Sequence, residues 1–83
     1  MKPVLSIEFC VSCGYEKRAF ALMETFVRLY KNDISSFNLI PSSVGAFEIK
    51  FKDLLIFSKR SEDRFPITEE LLLILDVKIR NEK

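Results

Sequence analysis

Apolar and polar residues alternate at the start of the chain: Leu5, Ile7 and Phe9 fall on one side, Ser6 and Glu8 on the other. A period of two is that of a half-buried strand. Cys10 to Gly14 then reads as a turn. From about Tyr15 to Lys31 the period lengthens. Phe20, Met23, Val27 and Tyr30 form one stripe, Ala19, Leu22, Phe26 and Leu29 the next, and Lys17, Glu24, Arg28 and Lys31 lie opposite. This spacing predicts an amphipathic helix of about four to five turns, closed by Asn32-Asp33. Residues 34–40 read as a second strand, with Phe37 and Leu39 on opposite faces and an interruption at Pro41-Ser42-Ser43. Residues 45–51 alternate most cleanly, Phe47, Ile49 and Phe51 against Glu48 and Lys50. Lys52-Asp53 turns the chain into residues 54–59 and makes an antiparallel hairpin, although it lacks the Gly or Asn usual at a positive φ. Residues 61–64 are polar and read as loop, followed by Phe65-Pro66. Thr68 is a suitable N-cap for a last helix ending near Asn81. Glu69 and Glu70 in its first turn and Lys78 and Arg80 in its last complement the helix dipole.

The predicted order is β-α-β-β-β-α, an α/β fold with a four-stranded mixed sheet over one domain, residues 1–83. The first two strands are expected to be parallel, joined by a right-handed crossover. Two helices and four strands suit two layers, because a sheet covered on both faces reads as continuous apolar runs. The helices are expected on the side of Leu5, Ile7, Phe47 and Ile49, leaving Ser6, Glu8, Glu48 and Lys50 to face water. Leu54, Leu55, Ile56 and Phe57 are apolar on both faces. An apolar patch is therefore expected on the open side, either a docking or homodimer surface or ground covered by the loop at residues 61–66.

Composition narrows the class. With 48% hydrophobic residues and only two glycines and three prolines, the chain is globular rather than disordered. A length of 83 residues allows one modest core. Thirteen basic residues nearly cancel twelve acidic ones, and a net charge of +1 argues against a dedicated nucleic-acid binder. Lys50, Lys52, Lys59 and Arg60 are locally basic, but Asp53 and Glu62 dilute them. No apolar run exceeds five residues, whereas a membrane span needs about 20. Ser6 and Glu8 interrupt any signal-peptide core, so a cytoplasmic protein without membrane partners is expected.

The chemistry lies in Cys10-Val11-Ser12-Cys13, at the end of a strand and the start of a helix. Unpaired N–H groups at a helix N-terminus favour a thiolate, and Lys17 and Arg18 stand within about a turn. Lowering a thiol from a pKa of about 8.5 to about 7 raises its thiolate fraction at neutral pH from roughly 3% to roughly half. The two intervening residues let one sulfur reach the other, so one cysteine can attack and the other resolve a mixed disulfide. Other uses fit less well. A structural zinc site wants four ligands, and the chain has two cysteines and no histidine, so zinc would need a symmetric dimer. A structural disulfide closing so short a loop adds little stability and is unusual in cytosol. Inert packing remains a third use. Ser35-Ser36 and Ser42-Ser43 have no histidine partner, which excludes hydrolase chemistry with a His base. Glu62-Asp63 and Glu69-Glu70 read as solvated or helix-start charges, and most of the eight phenylalanines as core.

Three blocks together are more specific than the cysteines: Phe9-Cys10-x-x-Cys13-Gly14-Tyr15, Pro41-x-x-x-Gly45-x-Phe47-Glu48 and Leu55-Ile56-x-Ser58-Lys59. In this order and spacing the chain resembles the selenoprotein W-like (Rdx) group of thioredoxin-like proteins, as a cysteine-containing member. The resemblance implies a thioredoxin-like fold and a redox role linked to glutathione or thioredoxin systems. It makes Cys10 and Cys13 the active pair, in a loop with Val11, Ser12, Gly14 and Tyr15. Thioredoxin-like proteins often place a proline beside such a pair, so Pro41, Ser42 and Ser43 are expected as neighbours. Selenoprotein members carry selenocysteine at the position of Cys13. The thioredoxin analogy makes Cys10 the attacker; the selenium position makes it Cys13, which is preferred because selenium belongs where nucleophilicity matters. No resident cofactor or metal is implied. Glutathione is a candidate co-substrate, and thiols or disulfides of proteins or glutathione are the expected partners. Two alternatives stand beside an oxidoreductase: a binding module whose cysteine pair switches a partner interface, and a zinc-bridged dimer.

Overall fold

The alternation near the N-terminus becomes the centre of a mixed sheet. The computed structural model describes residues 3–82. Its elements are β1 (Val4–Cys10), α1 (Glu16–Tyr30), β2 (Ser36–Ser42), β3 (Phe47–Phe51), β4 (Leu54–Ser58), α2 (Lys59–Glu62) and α3 (Thr68–Asn81). The strands lie in the order β2-β1-β3-β4. β1 runs parallel to β2 and antiparallel to β3, and β3 and β4 form an antiparallel hairpin. This is the expected α/β order with one short helix added.

Helices α1 and α3 share one face of the sheet. Leu5, Ile7 and Phe9 of β1 and Phe47, Ile49 and Phe51 of β3 pack with Ala19, Leu22, Met23, Phe26 and Tyr30 of α1 and Leu71, Leu75 and Ile79 of α3. The buried stripe of α1 is narrower than the sequence suggests: Phe20, Val27 and Leu29 are exposed. Ser6, Glu8, Glu48 and Lys50 occupy the other face, where period-two alternation puts them. No helix among the described residues is long and apolar enough to cross a membrane.

Several local expectations need correction. β2 continues through Pro41 to Ser42 rather than stopping at Ile40. It is an edge strand, where a residue lacking an N–H is tolerated. Phe37 and Leu39 pair with Leu5 and Ile7, so they share a face. β4 looked apolar on both sides, and a register shift explains why: Ile49 pairs with Phe57 but Lys50 pairs with Leu55. Ile56 is the extra residue of a bulge, which reverses which parity points inward. Phe57 is thereby buried, while Leu54 and Leu55 stay exposed. The segment after β4 does not cover them. Residues 59–62 form α2, and Phe65 turns to the helix side to pack on Tyr15 and Phe47. Ser58 caps α2 by accepting from the Ser61 N–H. Thr68 is the first residue of α3 and not its cap; Ile67 holds that position without a side-chain bond. Lys52 supplies the left-handed residue of the hairpin turn, at φ 60°.

At the end of the sheet away from the cysteines, the Tyr30 hydroxyl donates to the Asp76 carboxylate at 2.8 Å and ties α1 to α3. Burial, with Asp76 alongside, pushes the Tyr30 phenol above its ordinary range. A raised folded-state value means that its stabilisation is complete below about pH 10, where the unfolded tyrosine ionises, and is lost as pH rises further. Tyr30→Phe is expected to cost about 1 kcal/mol at neutral pH and to lose less stability than wild type in strong alkali. Urea unfolding at neutral and alkaline pH checks both; parallel decline of the two proteins above pH ~10 contradicts the assignment.

Candidate active site

β1 ends at Cys10, and three short connections meet there. The Cys10 N–H donates to the Ala46 carbonyl at 2.8 Å and the Val11 N–H to the Ser42 carbonyl at 3.2 Å. The chain then folds back on itself, with Gly14 N–H on the Val11 carbonyl at 2.9 Å and Tyr15 N–H on the Cys10 carbonyl at 3.2 Å. Gly14 adopts φ 77° with open space where a Cβ would stand, so backbone conformation and not crowding calls for glycine there. α1 begins at Glu16 with Tyr15 as its N-cap.

Cys10 and Cys13 are joined as a disulfide with their Cα atoms 5.3 Å apart. Their surroundings differ sharply. Cys10 is wholly sealed, at 0% exposure, while Cys13 is exposed just ahead of α1. The Cys10 sulfur lies 3.4 Å from the Ser12 hydroxyl. The two residues between the cysteines, Val11 and Ser12, are exposed as well. Arg18 stacks its guanidinium on the Phe65 ring, 4.0 Å from the centroid.

The end of β2, at Pro41 and Ser42, lies beside Cys10, and Ser43 follows it. In the parallel register Phe9 faces Pro41 and Cys10 faces Ser42. No peptide bond among the described residues is cis, so Pro41 contributes its ring and its missing N–H only. After Ser43 the chain reverses over Val44 and Gly45, whose φ values of 57° and 72° are both left-handed, and the Ala46 N–H returns to the Ser43 carbonyl at 3.3 Å. Positive φ at both central residues marks a type I′ turn. Arg60 braces it with a bond to the Ser43 carbonyl at 3.0 Å.

An aromatic group not evident from the sequence pins this end from the helix side. Tyr15 meets Phe65 with centroids 4.9 Å apart, and Phe65 meets Phe47 at 5.4 Å, both edge to face. The Lys59 ammonium stands 5.1 Å from the Phe65 ring and 5.5 Å from Tyr15. Tyr15 was legible as a loop residue; Phe65 and Lys59 were not, since the contacts join segments far apart in the chain. On the open face, the Glu48 carboxylate accepts from the Ser58 hydroxyl and the Lys59 N–H, and the Ser42 hydroxyl donates to Glu8 at 2.7 Å. Among the described residues no three His, Cys, Asp or Glu side chains converge as metal ligands.

A four-stranded mixed sheet backed on one face by helices, with a Cys-x-x-Cys turn between the first strand and the first helix, defines a thioredoxin-like protein. The chain belongs to the Rdx family, whose model matches residues 4–76. Its backbone is similar to that of the selenoprotein W-related protein from Vibrio cholerae, with a TM-score of 0.89 at 24% identity over 95% of this chain and 99% of that one. It is similar also to a protein from Bordetella parapertussis, with a TM-score of 0.82 at 19% identity over the whole of both chains, 100% of each. No curated protein matches the sequence at a significant level. The resemblance to the selenoprotein W-like group is thereby borne out.

Val44 is a β-branched residue held left-handed and 81% exposed, with no burial to offset the strain. Val44→Asn supplies a residue that tolerates this conformation and is preferred before glycine in such a turn. It should stabilise the protein by about 1 kcal/mol. An upward shift of the urea midpoint checks this; an unchanged or lower midpoint contradicts it.

Proposed function

We propose that this protein is a small thiol–disulfide redox protein in which Cys13 attacks and Cys10 resolves. The observation that carries the reading is the contrast between an exposed Cys13 and a sealed Cys10 that are already bonded to each other. Attack requires an in-line approach to a substrate disulfide, which only a surface sulfur permits. A buried sulfur is spared from the bulk thiol pool and reaches only its neighbour. In the first step the Cys13 thiolate displaces one thiolate from a substrate disulfide and forms a mixed disulfide. In the second the Cys10 sulfur attacks Cys13, the second substrate thiol leaves, and the internal disulfide closes. The substrate gains two electrons and the cysteine pair gives up two. Thiols such as glutathione, acting in the reverse sense, return the pair to the reduced form.

The same contrast disfavours the zinc-bridged dimer. A shared four-cysteine site needs both sulfurs of each chain at a common surface, and a sealed Cys10 is not there. Protein cysteines and glutathione are the fitting exchange partners, and a reducing cytoplasm is the setting in which such a pair cycles.

Mass spectrometry in glutathione buffers tests the proposal. Wild type should lose two hydrogens as a monomer when the buffer turns oxidising. Cys10→Ser should accumulate a glutathione adduct on Cys13, whereas Cys13→Ser should acquire at least about tenfold less, because the remaining sulfur is buried. Reduced thiols throughout, or adducts favouring Cys10, would refute it.

A further inference from the structure

The side of the molecule formed by β4 and α3 is apolar and uncovered. β4 ends the sheet, and no further strand among the described residues pairs with it. Leu54 and Leu55 are exposed on the strand, and Leu73, Ile74 and Val77 are exposed on α3, Leu73 at 70%. Between strand and helix runs a groove of about 590 Å3, lined by Leu55, Phe57, Leu71, Leu73 and Ile74 together with the charged Arg64 and Glu70. Single apolar side chains on a surface are ordinary, but a contiguous patch marks a contact.

The charges around the patch say what covers it. Glu70, Ile74 and Lys78 stand four residues apart and form one row on α3, an acid at one end, a base at the other and an apolar residue midway. Glu69 and Arg80 extend the same division toward the helix ends. Such a row is complementary to itself when reversed. A second α3 laid antiparallel, with Ile74 on the two-fold axis, puts each Glu70 opposite the partner's Lys78. Laid parallel, it sets acid on acid and base on base. β4 admits the same axis, because Ile56, its middle residue, lines the groove together with Ile74, so the midpoints of strand and helix lie level.

We propose that the protein forms a symmetric, non-covalent homodimer through this face, with α3 against α3 in antiparallel and Leu73 of each chain seated in the other's groove. Arg64 holds the Glu70 carboxylate at 3.1 Å and so keeps it in place for the partner's Lys78. The bulge at Ile56 twists the β4 edge, so side chains rather than a continued strand ladder carry the contact. A helix of 14 residues is about 21 Å long and about 10 Å across. With one strand edge beside it, the face falls below the roughly 800 Å2 per partner of a standard interface. The dimer is accordingly weak, with a dissociation constant of roughly 10–100 μM. Cys10 and Cys13 lie at the end of β1, which β3 separates from β4, so both cysteine pairs stay open in the dimer.

Sedimentation velocity in reducing buffer, from about 1 μM to about 1 mM protein, tests this. Wild type should pass from monomer to dimer across that range. Leu73→Glu, at an exposed position, should stay monomeric throughout, with an unchanged urea midpoint in dilute solution and an unchanged rate of Cys13 alkylation. Glu70→Lys and Lys78→Glu should each weaken association by about tenfold, because two ion pairs per dimer turn repulsive. Combining Glu70→Lys with Lys78→Glu in one chain should restore most of the loss, since the exchanged charges again face each other across the axis. Wild type that remains a monomer at the highest concentration would overturn the proposal, even if another protein binds the face. So would a dimer that survives Leu73→Glu. A double exchange no stronger than the single variants would overturn the antiparallel arrangement.

Discussion

The N–H groups of Cys10 and Val11 are bonded to opposite sides, one to Ala46 next to β3 and the other to Ser42 on β2. A strand end clamped in this way cannot swing, and its side chain stays where the sheet's alternation puts it. The sulfur of Cys10 is therefore fixed and enclosed, while the chain beyond it is free to turn. Gly14 makes that turn with a left-handed φ, and Cys13 emerges at the surface before the first turn of α1. The unequal exposure of two cysteines three apart is thus a consequence of where the central strand stops.

The two faces of the sheet then take different tasks. The helix side holds the apolar core, down to the edge-to-face contacts that fasten Tyr15, and with it the start of α1, onto Phe47 and Phe65. The open side is polar and ordered by hydroxyl–carboxylate pairs, one at Ser42 and Glu8 and one at Ser58 and Glu48. The second pair also fixes the strand-to-helix junction, because Glu48 takes the first N–H of α2. Partly buried hydrogen bonds to charged groups are worth about 1.5–3 kcal/mol each, enough to hold two loops in register with the strand between them.

Strict alternation made β1 and β3 readable, and with them both sheet faces. The end charges of α3 were equally plain, and the stripe of α1 was so in part, since Phe20, Val27 and Leu29 turned out exposed; the candidate site stood out because Cys-x-x-Cys at a strand-to-helix junction is a local pattern. What stayed hidden depends on pairing between distant segments. The bulge at Ile56 leaves no mark in composition, only a strand that looks apolar on both sides. α2 is a single turn, too short for a helical period, and its signal was the Ser58 hydroxyl rather than hydrophobicity. Pro41 suggested an interruption because a proline breaks an inner ladder, and it does not break an edge one. The burial of Cys10 has no local signature either, since the strand end is held by distant segments, at Ala46 and Ser42.

Selective alkylation of the fully reduced protein, followed by peptide mass spectrometry, tests this asymmetry most directly. Iodoacetamide reacts with thiolates it can reach. Cys13 should be labelled rapidly and Cys10 only on the slower timescale on which the protein opens. Equal labelling of both cysteines, or faster labelling of Cys10, would contradict the account.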